Sequence, residues 1–489
     1  MRKEFRRNIP ASAFTYAACL AGGCLALTMC VQLHFHGHVQ RSISENVDGC
    51  IIRPKGIGKG GSDYLFAVRV WDTPLNLRAP PIKVASGRIV LAVDPGRAGE
   101  FPSGFGIANV MGIYNSALTY AISQGISYLL PAPSGPMLMG SSHHGSSLDR
   151  DFAEIFSPPN GKSCSVQEAL HENMTLVVAK GCSRDMVYRG KLVSKGLSGD
   201  VVEKKMKEFT RSYRCWPDEM YWNQSALEHA EGDVAIVFPS RRLRWHFDYG
   251  GGRAEVFASA FDNSVKVIPA RGALTTSGKI SIALHVRMGD VFSIVNKGSA
   301  PSFVQEKFLP HNFYTAIVRH ILNVLNENCI TINVFTDAIR HHPNEAYQFV
   351  SSLVNKLRAL RDPPISVLLI DASQLSAVQT LIALTSADLL VASSSGFSRL
   401  AAVLRTNRKG ATIAFDLKSH PLESRTNMIV IPPSTHNVHG SFNNDQNVSN
   451  TSSAAESTVL TEALPLTLLR NFFLENIGNI TTNCNVLRT

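Results

Sequence analysis

The six residues His285-Val286-Arg287-Met288-Gly289-Asp290 are the stretch best equipped for chemistry. They close an apolar run, Ile280-Ser281-Ile282-Ala283-Leu284, that reads as a buried parallel strand. A cation, a glycine and a carboxylate are costly to bury at a strand end, unless that end faces a ligand crevice. Carboxyl ends of strands in open α/β sheets do face one. Arg287 offers a planar fork of donors that suits a phosphate. The expected chemistry is therefore the gripping of a diphosphate. Asp290 reads either as a base toward an acceptor hydroxyl or as a group that orients Arg287. His285 reads either as a hydrogen-bonded structural residue or as part of the ligand site.

The elements that position these residues are legible from 280 to 432. Strands are expected at 280–286, 330–335, 365–370, 388–392, 411–415 and 428–432, with helices near 312–327, 344–359, 375–386 and 398–405. This alternation predicts an α/β fold, with a parallel sheet covered by helices on both faces. Three more strands end in polar groups: Thr336-Asp337, Asp371, and Ser393-Ser394-Ser395-Gly396-Phe397-Ser398. The serine run opens a helix, so it serves either as an N-cap or as a seat for a diphosphate at the positive end of the helix. Upstream, a strand at 88–93, a turn with Gly96, Gly99, Gly104 and Gly106, a helix at 108–123 and a strand at 127–130 form a βαβ opening. A dinucleotide-binding oxidoreductase would need a third glycine where Asn109 stands and an acidic residue after the second strand, where Pro131-Ala132-Pro133 is found. Between 133 and 232 only a helix at 201–210 is readable. A short helix containing Val256 to Phe261 comes next, and a domain boundary is expected near 270.

With these residues in hand, the run from His285 to Asp290 resembles the HxRxGD-type motif of the fucosyltransferase superfamily that includes α1,2-, α1,6- and protein O-fucosyltransferases. Phe335-Thr336-Asp337-Ala338 and the serine run resemble its downstream motifs, and Gly104 to Asn109 resembles its N-terminal loop. Two departures stand out: Ala108 holds the place of the glycine usual before Asn109, and Gly396 that of a serine or another small residue. The resemblance implies two Rossmann-like domains of the GT-B type and inverting transfer of fucose from GDP-fucose to a glycan or glycoprotein. It implies no essential metal and no cofactor beyond that donor substrate. Arg287 would hold the β-phosphate, with Asp290 also catalytic. His285, Gly104, Gly106, Asn109, Asp337, Ser394, Ser395, Phe397 and Ser398 would contact the donor.

The chain of 489 residues is too long for one core, with 44% hydrophobic and 18% charged residues and a net charge of +10. Arg241-Arg242-Leu243-Arg244-Trp245-His246-Phe247 is basic and aromatic but short and isolated, which disfavours nucleic acid. Arg2, Lys3, Arg6 and Arg7 precede an uncharged stretch from Asn8 to Leu33, expected as a membrane signal anchor with a cleaved signal peptide as the rival. The body would then be lumenal, in the Golgi or ER, as a single-pass type II protein. Cys50, Cys164, Cys182, Cys215, Cys329 and Cys484 form an even set suited to disulfides, and Asn173, Asn223, Asn447, Asn450 and Asn479 open sequons. Asp149-Arg150-Asp151 is the DxD a metal-dependent transferase would use, but it does not close an apolar strand, so no metal site is expected. A third alternative is a catalytically silent glycan binder on the same fold. The expected order is a cytosolic tail (1–8), anchor (9–33), stem (34–85), acceptor-side Rossmann-like domain (86–270) and nucleotide-sugar domain (271–433). A Ser/Asn-rich segment (434–458) and a C-terminal helix and tail (459–489) complete it.

Overall fold

The computed structural model describes residues 47–48, 51–52, 87, 89–94, 106–129, 175–250, 253–265, 279–296, 307–325, 330–406, 410–415, 427–431 and 466–476. The anchor, Gly104, the Asp149–Asp151 pair, the segment 434–458, every cysteine but Cys182 and Cys215, and every sequon but that at Asn223 lie outside the described residues. Among the described residues no helix is long and apolar enough to cross a membrane.

In chain order the first part contains strands β1 (Val47–Asp48), β2 (Ile51–Ile52) and β3 (Ile89–Asp94), helix α1 (Ile107–Gln124), and strands β4 (Ser127–Leu129), β5 (Thr175–Val178) and β6 (Gly181–Cys182). Helices α2 (Ser183–Ser194) and α3 (Gly199–Ser212), strand β7 (Met220–Tyr221), helix α4 (Gln224–Glu228), strand β8 (Val234–Pro239) and helix α5 (Arg253–Val265) come after them. They build a sheet in the order β1-β2-β4-β3-β8-β5, whose last four strands run parallel. Two features differ from the sequence reading. Four residues of the stretch expected to be a stem form β1 and β2 and extend this sheet through the antiparallel pairing of β2 with β4. Strand β8, unread in the sequence, is flanked by β3 and the edge strand β5 and is buried along most of its length.

Beyond 279 come β9 (Ile280–Val286), α6 (Gly289–Asn296), α7 (His311–Leu322), β10 (Ile330–Thr336), α8 (Glu345–Arg358), β11 (Val367–Asp371), α9 (Ala377–Ser386), β12 (Leu389–Val391), α10 (Gly396–Leu404), β13 (Ala411–Phe415), β14 (Met428–Ile431) and α11 (Leu466–Asn476). All six strands are parallel, in the order β11-β10-β9-β12-β13-β14. Counted from β9, that is the doubly wound order 3-2-1-4-5-6. Its central strands read as continuous apolar runs because both faces are covered. Ile280, Ile282, Leu284 and Val286 enter one apolar cluster with α7 and α8, and Ala283 enters the other with α9 and α10.

The second cluster does not stop at the C-terminal sheet. It is continuous with the apolar residues of β3, α1 and α5. Helix α1 is buried nearly all round, including the polar Asn115, Ser116 and Thr119. Helix α10 packs on both α1 and α5, and a Cβ at Gly396 would sit 3.0 Å from the Ala108 Cβ. The glycine lets the two helix starts approach.

Each sheet is also tied by a buried arginine. Arg405, 1% exposed, donates to the carbonyls of Leu384 (3.1 Å), Thr385 (3.0 Å), Ala387 (2.5 Å) and Ala411 (3.0 Å) and to the Thr412 hydroxyl (3.1 Å). It supplies donors to the carbonyls left at the end of α9, where a cation is favoured. Gly410, at φ +127°, leaves the space, since a Cβ there would lie 2.6 Å from Arg405 Nη2. In the first sheet Arg242 pairs with Asp185 at 2.5 Å, and Asp185 also accepts from the Cys182 N–H (3.0 Å). Cys182 is disulfide-bonded to Cys215, which pins α2 to the segment before β7.

Candidate functional site

In the doubly wound order, the chain leaves β9 toward β10 on one side and later returns to β12 on the other. Ligands bind outside the carboxyl ends of the strands at such a switch point. The residues that close β9 and β12 are the stretch from His285 to Asp290 and the serine run. Leu284 lies opposite Val391, so three residues further on Arg287 comes level with Ser394. On the other side Thr336 lies opposite Val286, so Asp337 comes level with Arg287.

That register explains the strongest contacts of the site. One oxygen of Asp337 is ion-paired with Arg287, and the other accepts from the Met288 N–H at 2.7 Å. A Cβ at Gly289, whose φ is +25°, would come within 3.0 Å of the Asp337 Cγ. The glycine of the motif is thus required by the carboxylate behind it. The Arg287 side chain is 27% exposed, so it is held from one side and open on another. Asp337, a residue expected beside the donor, holds Arg287 and the turn that carries it.

His285 lies buried one level below. Its Nδ1 meets the hydroxyls of Ser393 at 2.9 Å and Ser398 at 2.5 Å, and its ring lies 5.8 Å from that of Phe397. Burial lowers its pKa to about 4, with Asp337 pulling upward and Arg287 pushing downward. The imidazole is therefore neutral near pH 7. Ser398 also meets Ser393 (2.9 Å) and Ser395 (3.1 Å) through its hydroxyl, and its N–H donates to the Ser395 hydroxyl at 3.2 Å, so Ser395 is the N-cap of α10.

In sequence the run offers a diphosphate both its backbone N–H groups and its hydroxyls, and the structure places the two differently. Ser394, Ser395 and Ser398 are buried, and the hydroxyls of Ser395 and Ser398 are used inside the protein. Gly396 and Phe397 keep partial exposure instead. They are the first two residues of α10, whose N–H groups have no partner within a helix. What the run turns outward is the backbone and dipole at the start of α10, while the hydroxyls of Ser395 and Ser398 turn inward.

No family model and no curated protein matches this chain. Solved structures similar to it include the E. coli heptosyltransferase WaaC with ADP, at 13% identity, over 80% of this chain and 98% of that one, with a TM-score of 0.27. POFUT1 in complex with GDP is 12% identical over 69% of this chain and 98% of its own, with a TM-score of 0.29. E. coli ADP-heptose lps heptosyltransferase II is 15% identical with a TM-score of 0.22, and the match spans 32% of this chain and 39% of that relative. At these TM-scores the likenesses carry no argument about activity, which rests on the residues themselves.

The remaining expected residues lie further out. Gly106 is the N-cap of α1, and a Cβ there would meet nothing within 4 Å, so packing does not require the glycine. Asn109 stands in the first turn of α1, partly exposed. The contact of Ala108 with Gly396 brings that turn beside the start of α10. Asp290 is the second residue of α6, and its side chain lies outside the described residues. Asp371 turns one oxygen to Ser373, accepting from its N–H (2.8 Å) and hydroxyl (2.5 Å). Two contributors went unread in the sequence: Ser393 as a partner of His285, and Gly289 as the seat of Asp337. Gly289 was visible within the motif; the Ser393 contact spans 108 residues and leaves no local signal.

Proposed function

We propose that this chain is a glycosyltransferase that moves a sugar, by resemblance fucose, from a GDP-sugar to a hydroxyl of a glycan or glycoprotein. Transfer would proceed with inversion and without an essential metal. The observation that best supports this reading is the placement of Arg287 beside the start of α10 at the switch point of a doubly wound sheet. In the reaction the anomeric C–O bond to the diphosphate breaks, and its electron pair stays on the departing phosphate oxygen. A bond forms to the acceptor oxygen, whose proton passes to a base. Charge builds on the leaving group, and a preorganised guanidinium beside a helix N-terminus lowers that barrier. Asp337 fixes the fork of Arg287, and the neutral His285 ties the end of β9 to the start of α10. Asp290, three residues beyond Arg287, is the proposed acceptor base. A lumenal, membrane-anchored placement belongs to the same reading. The Cys182–Cys215 disulfide supports an oxidising compartment.

The test is a hydrolysis screen of the full chain against GDP-, UDP-, ADP- and CMP-sugars, with and without a chelator. The reading predicts release of GDP from GDP-fucose that survives chelation. Turnover of another donor alone, or loss of turnover with chelator, would contradict it.

A further inference from the structure

The N-terminal sheet has a switch point of its own. From β3 the chain goes to β4 on one side and reaches β5 and β8 on the other, so its crevice lies outside the carboxyl ends of β3 and β8. Strand β8 runs on into Ser240-Arg241-Arg242-Leu243-Arg244-Trp245-His246-Phe247, the basic and aromatic run that the donor reading leaves unused.

The structure gives that run a partner. Cys215 bridges Leu243 in parallel; its N–H donates to the Arg242 carbonyl (2.9 Å), and its carbonyl accepts from the Arg244 N–H (2.8 Å). Three guanidinium groups then lie over three rings: Arg244 over Trp216 at 5.3 Å, Arg214 over Trp245 at 4.7 Å, and Arg184 over Tyr213 at 5.4 Å. A guanidinium seated on a ring keeps its in-plane N–H edge for an oxyanion. Arg184, Arg241 and Arg244 are exposed, and Tyr213, Trp216 and Trp245 are half-buried. Of the carboxylates nearby, Glu219 accepts from the Trp216 N–H and lies 3.4 Å from Arg184, so an anion bound there shares that guanidinium with it; Asp185 pairs with Arg242, and Asp248 faces Arg253 and the Gly250 N–H. Burial and then the neighbouring Arg242 lower the pKa of Arg214 to about 10. The cluster also adjoins the donor crevice. The His246 N–H donates to the Gly112 carbonyl at 2.9 Å. Gly112 is four residues, about 6 Å, along α1 from the Ala108 that touches Gly396.

We propose that this surface binds the acidic part of a glycan: a sugar chain bearing sulfate or carboxylate, whose sugar faces lie on the half-exposed rings and whose anions meet Arg244 and Arg184. The proposal rests on the glycosyltransferase reading and names its acceptor class. Three short segments, the start of α2, 213–216 and 241–245, carry the whole cluster, which suits a few sugar units better than a groove that tracks a nucleic-acid backbone.

The test titrates the full chain by tryptophan fluorescence with a sulfated hexasaccharide, its unsulfated uronate-containing counterpart, a neutral hexasaccharide and oligouridylate. Expected is binding of both acidic sugars, with the neutral one at least about tenfold weaker. Arg244→Gln and Arg184→Gln each weaken acidic-sugar binding by about tenfold at unchanged melting temperature. Arg287→Ala leaves this binding intact while donor hydrolysis is lost, so failure of the donor reading shows separately. Equal binding of the neutral sugar, no sugar binding, insensitivity to both substitutions, or equally tight binding of oligouridylate would overturn the proposal.

Discussion

The two parallel sheets share a plan, a switch point with a helix start beside it, and differ in how their carboxyl ends hold charge. In the C-terminal sheet the cation is built in: Arg287 is fixed by Asp337, and His285 and three serines lock β9 to α10 out of solvent. In the N-terminal sheet the cations stand on aromatic rings at the surface, and the buried pair Arg242–Asp185 only anchors them. The first arrangement suits one ligand held in one geometry, where preorganised charge acts most strongly. The second suits ligands that vary in outline, because stacking tolerates displacement.

The contrast can be broken by substitution. Arg405→Ala, which strips donors from several buried carbonyls of the C-terminal sheet, should cost about 3–5 kcal/mol in urea denaturation. Arg242→Ala leaves Asp185 buried without its cation and should cost about 2–4 kcal/mol. It should also weaken acidic-sugar binding, whereas Arg405→Ala should not. If Arg242→Ala costs nothing, the N-terminal cluster is not anchored as described. Gly289→Ala should destabilise by about 1–3 kcal/mol, because φ is positive and Asp337 fills the space. It should weaken donor binding in titration along with stability. The last effect is on acid sensitivity and is absent at neutral pH. The pKa of His285 is about 4 when folded, below its ordinary value of 6.5, so the unfolded chain takes up a proton first. Stability from this group is therefore flat above about pH 7, falls as the pH drops from 6.5 toward 4, and levels below that. His285→Gln should flatten part of that slope in melting curves, and an unchanged slope would place the titrating group elsewhere.

How far the fold can be read from the sequence differs between the same two regions. The C-terminal strands are apolar runs separated by helices of regular length, so their order of appearance and their polar ends are visible. The spatial order, and with it the switch point, is not, because it depends on which strands pair. Val234 to Phe238 is as apolar as any of them, but the short strands β5, β6 and β7 and the helices before it lack that alternation, so nothing assigns it a neighbour. At the site, residue types were legible and directions were not. The serines turn inward toward His285, and Asp337 reaches Arg287 across 50 residues, neither of which a local pattern records. Arg405 stands just after a helix, where a surface cation would be the ordinary reading, yet it is buried.

The central claim is that Arg287, held by Asp337 at the switch point, stabilises a departing nucleoside diphosphate. It is tested most directly by GDP release from GDP-fucose by the full chain and by Arg287→Ala at matched folded concentration. The account predicts measurable release by the unaltered chain and a loss of about 100- to 1,000-fold in the variant, with its melting temperature retained. Undiminished release by the folded Arg287→Ala variant would contradict it.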